Sequence, residues 1–221
     1  MIKDPILITG CARSGTSMTA GIINICGAWG GEMSGQNKFN KKGMFENTAL
    51  RQLVIKPFLR SIGVDPLGQY PLPDIFKLPK VSDWRDQILT PLVIQGLKDD
   101  FTWFYKCAKA CLIWPIWKEA FPKAKWIIVR RRESEIVESC LKTTFMRAFD
   151  NYDGWKWWTD QHLLRFGEMW HSGLNIREVW PRKIIEGDLS EIKDVINWLE
   201  LSWSEDKIID FVSPSLWHNR G

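Results

Sequence analysis

A chain of 221 residues with 45% apolar and 25% charged side chains has the make-up of one soluble globular domain, which excludes a disordered or fibrous protein. A single domain over residues 1–221 is long enough to bury a sizeable core. The net charge of +4 is too small to argue for nucleic acid, but it suits an anionic small ligand.

The chain opens on Pro5-Ile-Leu-Ile-Thr9, a short β-branched run ending at Gly10 that predicts a buried strand. Thr16 to Cys26 suits a helix with Met18, Ile22, Ile23 and Cys26 on one face. The polar, Gly-rich stretch 27–43 reads as loop. Glu46 to Arg60 predicts a helix with Leu50, Leu53, Val54 and Phe58 as its apolar stripe. Residues 63–83 hold many of the prolines and read as irregular, and Ile88 to Leu97 as helical. Thr102 to Lys106 is a second strand candidate, followed by a helix over Leu112–Phe121 with Pro115 in its first turn. Lys125 to Arg130 is the clearest strand after the first. Ser134 to Phe145 reads as an amphipathic helix with Val137, Cys140, Leu141 and Phe145 inward. A long helical region spans Trp155–Trp180, Arg182–Glu186 reads as a short strand, and Ile192, Val195, Ile196 and Leu199 follow at helical spacing. Strands alternating with helices imply an α/β fold in three layers, with a central, mostly parallel sheet flanked by helices. Ligands in such folds bind beyond the carboxyl ends of the strands.

The five cysteines show no metal or disulfide spacing and read as reduced, buried thiols. The opening MIKDPILITG carries no signal-peptide pattern, and no apolar run is long enough to span a bilayer. The expectation is a soluble, cytoplasmic protein with no membrane anchor and no nucleic-acid partner.

Two segments carry chemistry. Gly10-Cys-Ala12-Arg13-Ser14-Gly15-Thr16-Ser17 follows a strand and opens a helix, the context in which a glycine loop binds phosphate. Its successive N–H groups form an anion nest, the helix N-terminus adds positive potential, and Ser14, Thr16 and Ser17 add hydroxyls. A nucleoside triphosphatase would place lysine where Thr16 stands, and here the cation is Arg13 instead. That placement suits a shorter anion such as a 5′-phosphosulfate, and the hydroxyls and Arg13 outweigh the plainer reading of a glycine turn. The second segment is Arg130-Arg131-Arg132 at the end of an interior strand, with Ser139 in the helix that follows. Guanidinium groups suit phosphate because their planar fork bonds two oxygens at once. A solvated basic patch paired with Glu133, Glu135 and Glu138 is the alternative.

Together these segments resemble the sulfotransferase family. Its 5′-phosphosulfate loop has a basic residue, then Ser-Gly-Thr, then Thr or Ser, as in Arg13-Ser14-Gly15-Thr16-Ser17. Its 3′-phosphate motif has an arginine and a serine eight residues apart, as have Arg131 and Ser139. Lys42-Gly43-Met44-Phe45-Glu46-Asn47 resembles the Gly-aromatic-Glu stretch of many bacterial members. Ile185–Leu189 and Trp198–Trp203 resemble their C-terminal strand and helix. The resemblance implies 3′-phosphoadenosine 5′-phosphosulfate as donor and adenosine 3′,5′-bisphosphate as product. It assigns Ala12 to Ser17 to the 5′-phosphate, Arg13 to the bridging oxygen, Arg131 and Ser139 to the 3′-phosphate, and Arg220 to the same phosphate. Where the cytosolic branch carries Lys-Thr-His with its catalytic histidine, this chain has Tyr105-Lys106-Cys107-Ala108-Lys109.

The expected reaction is in-line sulfuryl transfer to a hydroxyl or amine, in which positioning and electrostatics carry most of the work. Glu46 is the first choice for the base, and Lys106 and Lys109 are secondary candidates that suit the sulfuryl oxygens better as ligands. The scheme calls for no metal. The acceptor, a small molecule, glycan or peptide, is not readable, and the clustered Trp155, Trp157 and Trp158 either stack on it or line the core. The rival readings are a P-loop nucleotide kinase or triphosphatase and a non-catalytic nucleotide-binding protein on the same fold.

Overall fold

The computed structural model describes residues 1–36 and 42–212. Four strands among them, β1 (Ile6–Gly10), β2 (Phe104–Lys106), β3 (Lys125–Val129) and β4 (Asn175–Val179), form a parallel sheet in the order β2-β1-β3-β4. Side chains alternate between its faces, as strand geometry requires. Leu7, Tyr105, Trp126 and Ile128 enter one core, and Ile6, Ile8, Phe104, Ile127 and Val129 the other. Helices α1 (Thr16–Ile25), α8 (Ser190–Trp198) and α9 (Glu205–Phe211) cover the second face. The first face is covered by α3 (Trp84–Ile94), α4 (Trp114–Ala120), α5 (Glu133–Leu141) and α6 (Tyr152–His171). The three-layer α/β expectation is met.

Several local expectations are corrected. The helix containing residue 50 runs as a π-helix over Leu50–Ile55 before α2 (Lys56–Ser61). Wider turns rotate the stripe, so Leu53 is 70% exposed while Ile55 and Leu59 are buried. Helix α3 starts at Trp84, and α5 ends at Leu141, which leaves Phe145 beyond it and Leu141 exposed. Of the expected helix Trp155–Trp180, only the part up to His171 is helical, and β4 takes the rest. An edge strand reading Asn-Ile-Arg-Glu-Val buries only Ile176 and Val179, so it carries no apolar run to announce it. Arg182–Glu186 is not a strand: Pro181 starts α7 (Pro181–Ile185), as proline at a first helical position does.

The sheet order places the site. From β1 the chain goes to β2 on one side, then returns past β1 to β3 on the other. In open parallel sheets ligands bind in a crevice where the order reverses, which here is beyond the carboxyl ends of β1 and β3. Gly10 and Val129 are register partners there, so the segments that follow these two strands leave the sheet side by side.

Candidate active site

After β1 the chain turns through a loop whose backbone is committed to an unusual path. Arg13 has φ 74° and Gly15 φ 101°, left-handed conformations, the former costly for a side-chain-bearing residue. Gly10 is fixed by close approach: a Cβ there would lie 2.6 Å from the Val129 carbonyl oxygen and 2.7 Å from Ser14 Oγ. Gly15 is the N-cap of α1 and brings no side chain to cap it, so the first-turn amides face the crevice for a ligand to meet. Ser14 Oγ is buried with no hydrogen-bond partner. A buried hydroxyl left unmet is costly, and an anion in the loop would satisfy it. Thr16 is also buried, whereas Ser17 Oγ donates to the Met44 carbonyl oxygen at 3.3 Å and ties that segment to the loop.

The second motif meets the first. Arg13 Nε donates to Ser139 Oγ at 3.1 Å, and Arg131 Nη1 donates to the Arg13 carbonyl oxygen at 2.8 Å. Burial lowers the proton affinity of Arg13, and neighbouring Arg131 lowers it further. Two guanidinium groups are thus held together at the head of the crevice, an arrangement that a bound anion stabilises. Arg131 Nε bonds Glu135 Oε2 at 2.9 Å, and Glu135 Oε1 accepts from Arg182 Nη1 at 2.9 Å. The expected pairing of this basic run with Glu135 is therefore present, and it orients Arg131 without removing it from the crevice. Arg220 lies outside the described residues.

A third group assembles on the other side of β1. Lys106 ends β2 opposite Ile8, and Thr9 Oγ1 donates to the Ala108 carbonyl oxygen at 3.2 Å, which docks a 3₁₀ turn (Ala108–Ile113) beside the loop. Lys109 Nζ reaches Glu46 Oε1 at 3.3 Å, and Arg51 Nη1 lies 3.9 Å from Glu46 Oε2. Glu46, Lys106 and Lys109 are all buried. Burial pushes the Glu46 carboxyl up, but Lys109, Lys106 and Arg51 outweigh it and hold the group below its ordinary value. Burial pulls Lys106 down, while for Lys109 the Glu46 carboxylate overcomes burial and lifts it. One carboxylate under three cations leaves a net positive pocket next to an anion loop. Helix capping is not the task of Glu46, because Asn47 Oδ1 accepts from the Leu50 amide at 3.1 Å and does that instead.

Sequence reasoning named Arg13, Arg131, Ser139, Glu46, Lys106 and Lys109, and the fold gathers them into two groups on either side of β1. It missed Arg51, whose Nη1 lies 3.9 Å from Glu46 Oε2, and Arg182, which the strand assignment hid. The five cysteines are free and buried, and burial pushes the Cys111 and Cys140 thiols up to about 12. His162 is buried and pulled down to about 4 by that burial, with its Nδ1 2.8 Å from the Trp158 carbonyl oxygen, so it is a neutral packing residue.

The sequence matches no protein-family profile and no curated protein. Three solved structures share the fold. A sulfotransferase from Mycobacterium avium superposes with TM-score 0.61 at 10% identity, over 96% of this chain and 67% of its own. The sulfotransferase domain of a Synechococcus olefin synthase gives 0.58 at 17% identity, over 100% of this chain and 81% of its own. A sulfotransferase from Mycobacterium tuberculosis gives 0.52 at 16% identity, over 96% and 71%. The chain has the fold that these sulfotransferases have. Among the described residues no helix is long and apolar enough to cross a membrane.

Proposed function

We propose that this protein is a sulfotransferase that takes its sulfuryl group from 3′-phosphoadenosine 5′-phosphosulfate and delivers it to a hydroxyl or amine. The observation that carries the reading is the pair of bonds joining the two anion motifs, Arg13 to Ser139 and Arg131 to the Arg13 carbonyl oxygen. A donor with phosphates at both ends of its ribose needs two anion sites held at a fixed spacing, and this contact fixes it. The unmet Ser14 hydroxyl and the nest around Gly10 and Gly15 suit the 5′-phosphate, and Arg131 with Ser139 suits the 3′-phosphate.

In the reaction, Arg13 and the loop amides would stabilise charge growing on the leaving phosphate oxygen. Lys106 and Lys109, buried near Glu46, would hold the sulfuryl oxygens. Glu46 would take the acceptor proton. It is held ionised by its three cations, which is the form a base must have. Calorimetric titration with adenosine 3′,5′-bisphosphate, beside AMP and beside ATP with Mg²⁺, tests the donor assignment. Tight binding of the bisphosphate alone is expected, and preference for ATP with Mg²⁺ returns the kinase or triphosphatase reading. Turnover of radiolabelled donor with hydroxyl acceptors separates an enzyme from a nucleotide-binding protein.

A further inference from the structure

Most of the tryptophans expected to cluster are core: Trp155 and Trp158 are buried. Trp157 is 41% exposed and meets two other rings at the surface, Tyr70, 58% exposed, and the half-buried Phe149. The centroids lie 5.7 Å (Tyr70–Phe149), 5.9 Å (Tyr70–Trp157) and 6.0 Å (Phe149–Trp157) apart, with planes inclined at 59–71°. Surface aromatics are usually free to turn, but a buried frame holds these. Gln69 is buried, its Nε2 donates to the Phe145 carbonyl oxygen at 2.7 Å, and its Oε1 accepts from the amides of Arg147 and Ala148 at 2.9 and 3.1 Å. Those bonds lock the loop carrying Tyr70 to the segment carrying Phe149. Phe149 lies flat on the first turn of α6 because Gly154 has no side chain: a Cβ there would be 2.5 Å from its ring.

The loop that carries Tyr70 passes Lys109. Gly68, two residues before Tyr70, packs against Lys109, where a Cβ would lie 2.9 Å from Lys109 Cγ. Two residues of chain span at most about 7 Å. We propose that Tyr70, Phe149 and Trp157 form the acceptor subsite, and that the acceptor is a neutral carbohydrate. The acceptor role rests on the sulfotransferase reading, whereas carbohydrate binding does not.

Two features favour this class. The rings are inclined to one another at 59–71°, so no two of them stand parallel as the walls that would enclose a planar phenol. They present an open apolar surface instead, on which the C–H face of a sugar ring can lie while its hydroxyls reach outward. Along the segment that carries Phe149 and Trp157 the charged and amide side chains are Arg147, Asp150, Asn151, Asp153, Lys156 and Asp160, and Lys156 is already paired with Asp160 at 2.8 Å. Three carboxylates against two cations supply hydroxyl partners but not the excess positive charge that a polyanionic glycan requires.

The test titrates the whole chain with cellotetraose, maltotetraose, a heparin tetrasaccharide and 4-nitrophenol, followed by tryptophan fluorescence and calorimetry. Adenosine 3′,5′-bisphosphate is titrated separately. At least one neutral tetrasaccharide is expected to saturate, and to weaken roughly tenfold in Trp157→Ala and in Tyr70→Leu. Both variants should bind the bisphosphate as the parent does, which shows that they are folded. Saturation by heparin or 4-nitrophenol alone overturns the proposal, as does the absence of binding by both neutral sugars up to about 10 mM, or neutral-sugar binding that Trp157→Ala leaves unchanged. Sugar binding without bisphosphate binding removes the donor reading and leaves the platform standing. The reverse removes the platform alone.

Discussion

The crevice holds two charge clusters built on opposite plans. At the end of β3 one carboxylate, Glu135, is shared by two arginines, the mostly buried Arg131 and the more exposed Arg182. On the far side of β1 the single carboxylate Glu46 is buried beneath Lys109, Lys106 and Arg51. In the first the acid aims a cation, and in the second the cations tune an acid. The first plan suits grip on an anion, and the second suits chemistry. If this difference is functional, the two clusters must fail differently when broken.

The largest effect is expected at Glu46. Glu46→Gln keeps the shape and removes the proposed base, so kcat should fall about a thousandfold while the affinity for adenosine 3′,5′-bisphosphate stays within about twofold. Full turnover in that variant moves the base elsewhere, with Lys106 next in line because burial lowers its proton affinity. Arg131→Ala attacks the other cluster. It should weaken bisphosphate binding about a hundredfold, through loss of a charge-assisted contact, and leave AMP nearly unaffected because AMP has no 3′-phosphate. Arg13→Ala, by contrast, should weaken both nucleotides. Equal losses for both nucleotides in Arg131→Ala end the division of labour between the motifs.

A pH profile sharpens the contrast. A base works ionised, and Glu46 is held below its ordinary value of 4.5, so the acid limb of kcat/KM should lie below that value. Lys109→Met removes the closest cation, and the limb should move up by roughly one pH unit. A limb that stays in place means that Glu46 is not the group being titrated.

The two clusters were unequally legible in the sequence. Arg13, Arg131 and Ser139 follow strands in short, ordered motifs, and parallel pairing of β1 with β3 brings them together almost automatically. Glu46 and Lys109 were named, but no pattern paired them, because their meeting depends on Thr9 docking the turn at residue 108 and on Ser17 holding Met44. Arg51 stands in a π-helical stretch, a departure from the 3.6-residue period on which sequence reading relies. β4 escaped because an edge strand needs few apolar residues, and the same error hid Arg182 on the short helix behind it. Periodicity reports burial, so elements with little to bury leave little trace.

Arg182 provides the smallest and most selective test. It need not touch the donor: its Nη1 is 2.9 Å from Glu135 Oε1, and Glu135 in turn holds Arg131. Removing Arg182 leaves the Glu135 charge less compensated beside the proposed 3′-phosphate site, and the repulsion should appear as weaker bisphosphate binding. The pair is partly exposed, so the effect should be modest, roughly fivefold in Kd, and should shrink as salt is raised. AMP binding should not change in Arg182→Ala. Neutralising the acid as well, in Arg182→Ala with Glu135→Gln, should recover part of the loss, because the repelling charge is gone. A deeper loss in the double variant means that Glu135 acts by aiming Arg131 and that its charge does not matter to the phosphate.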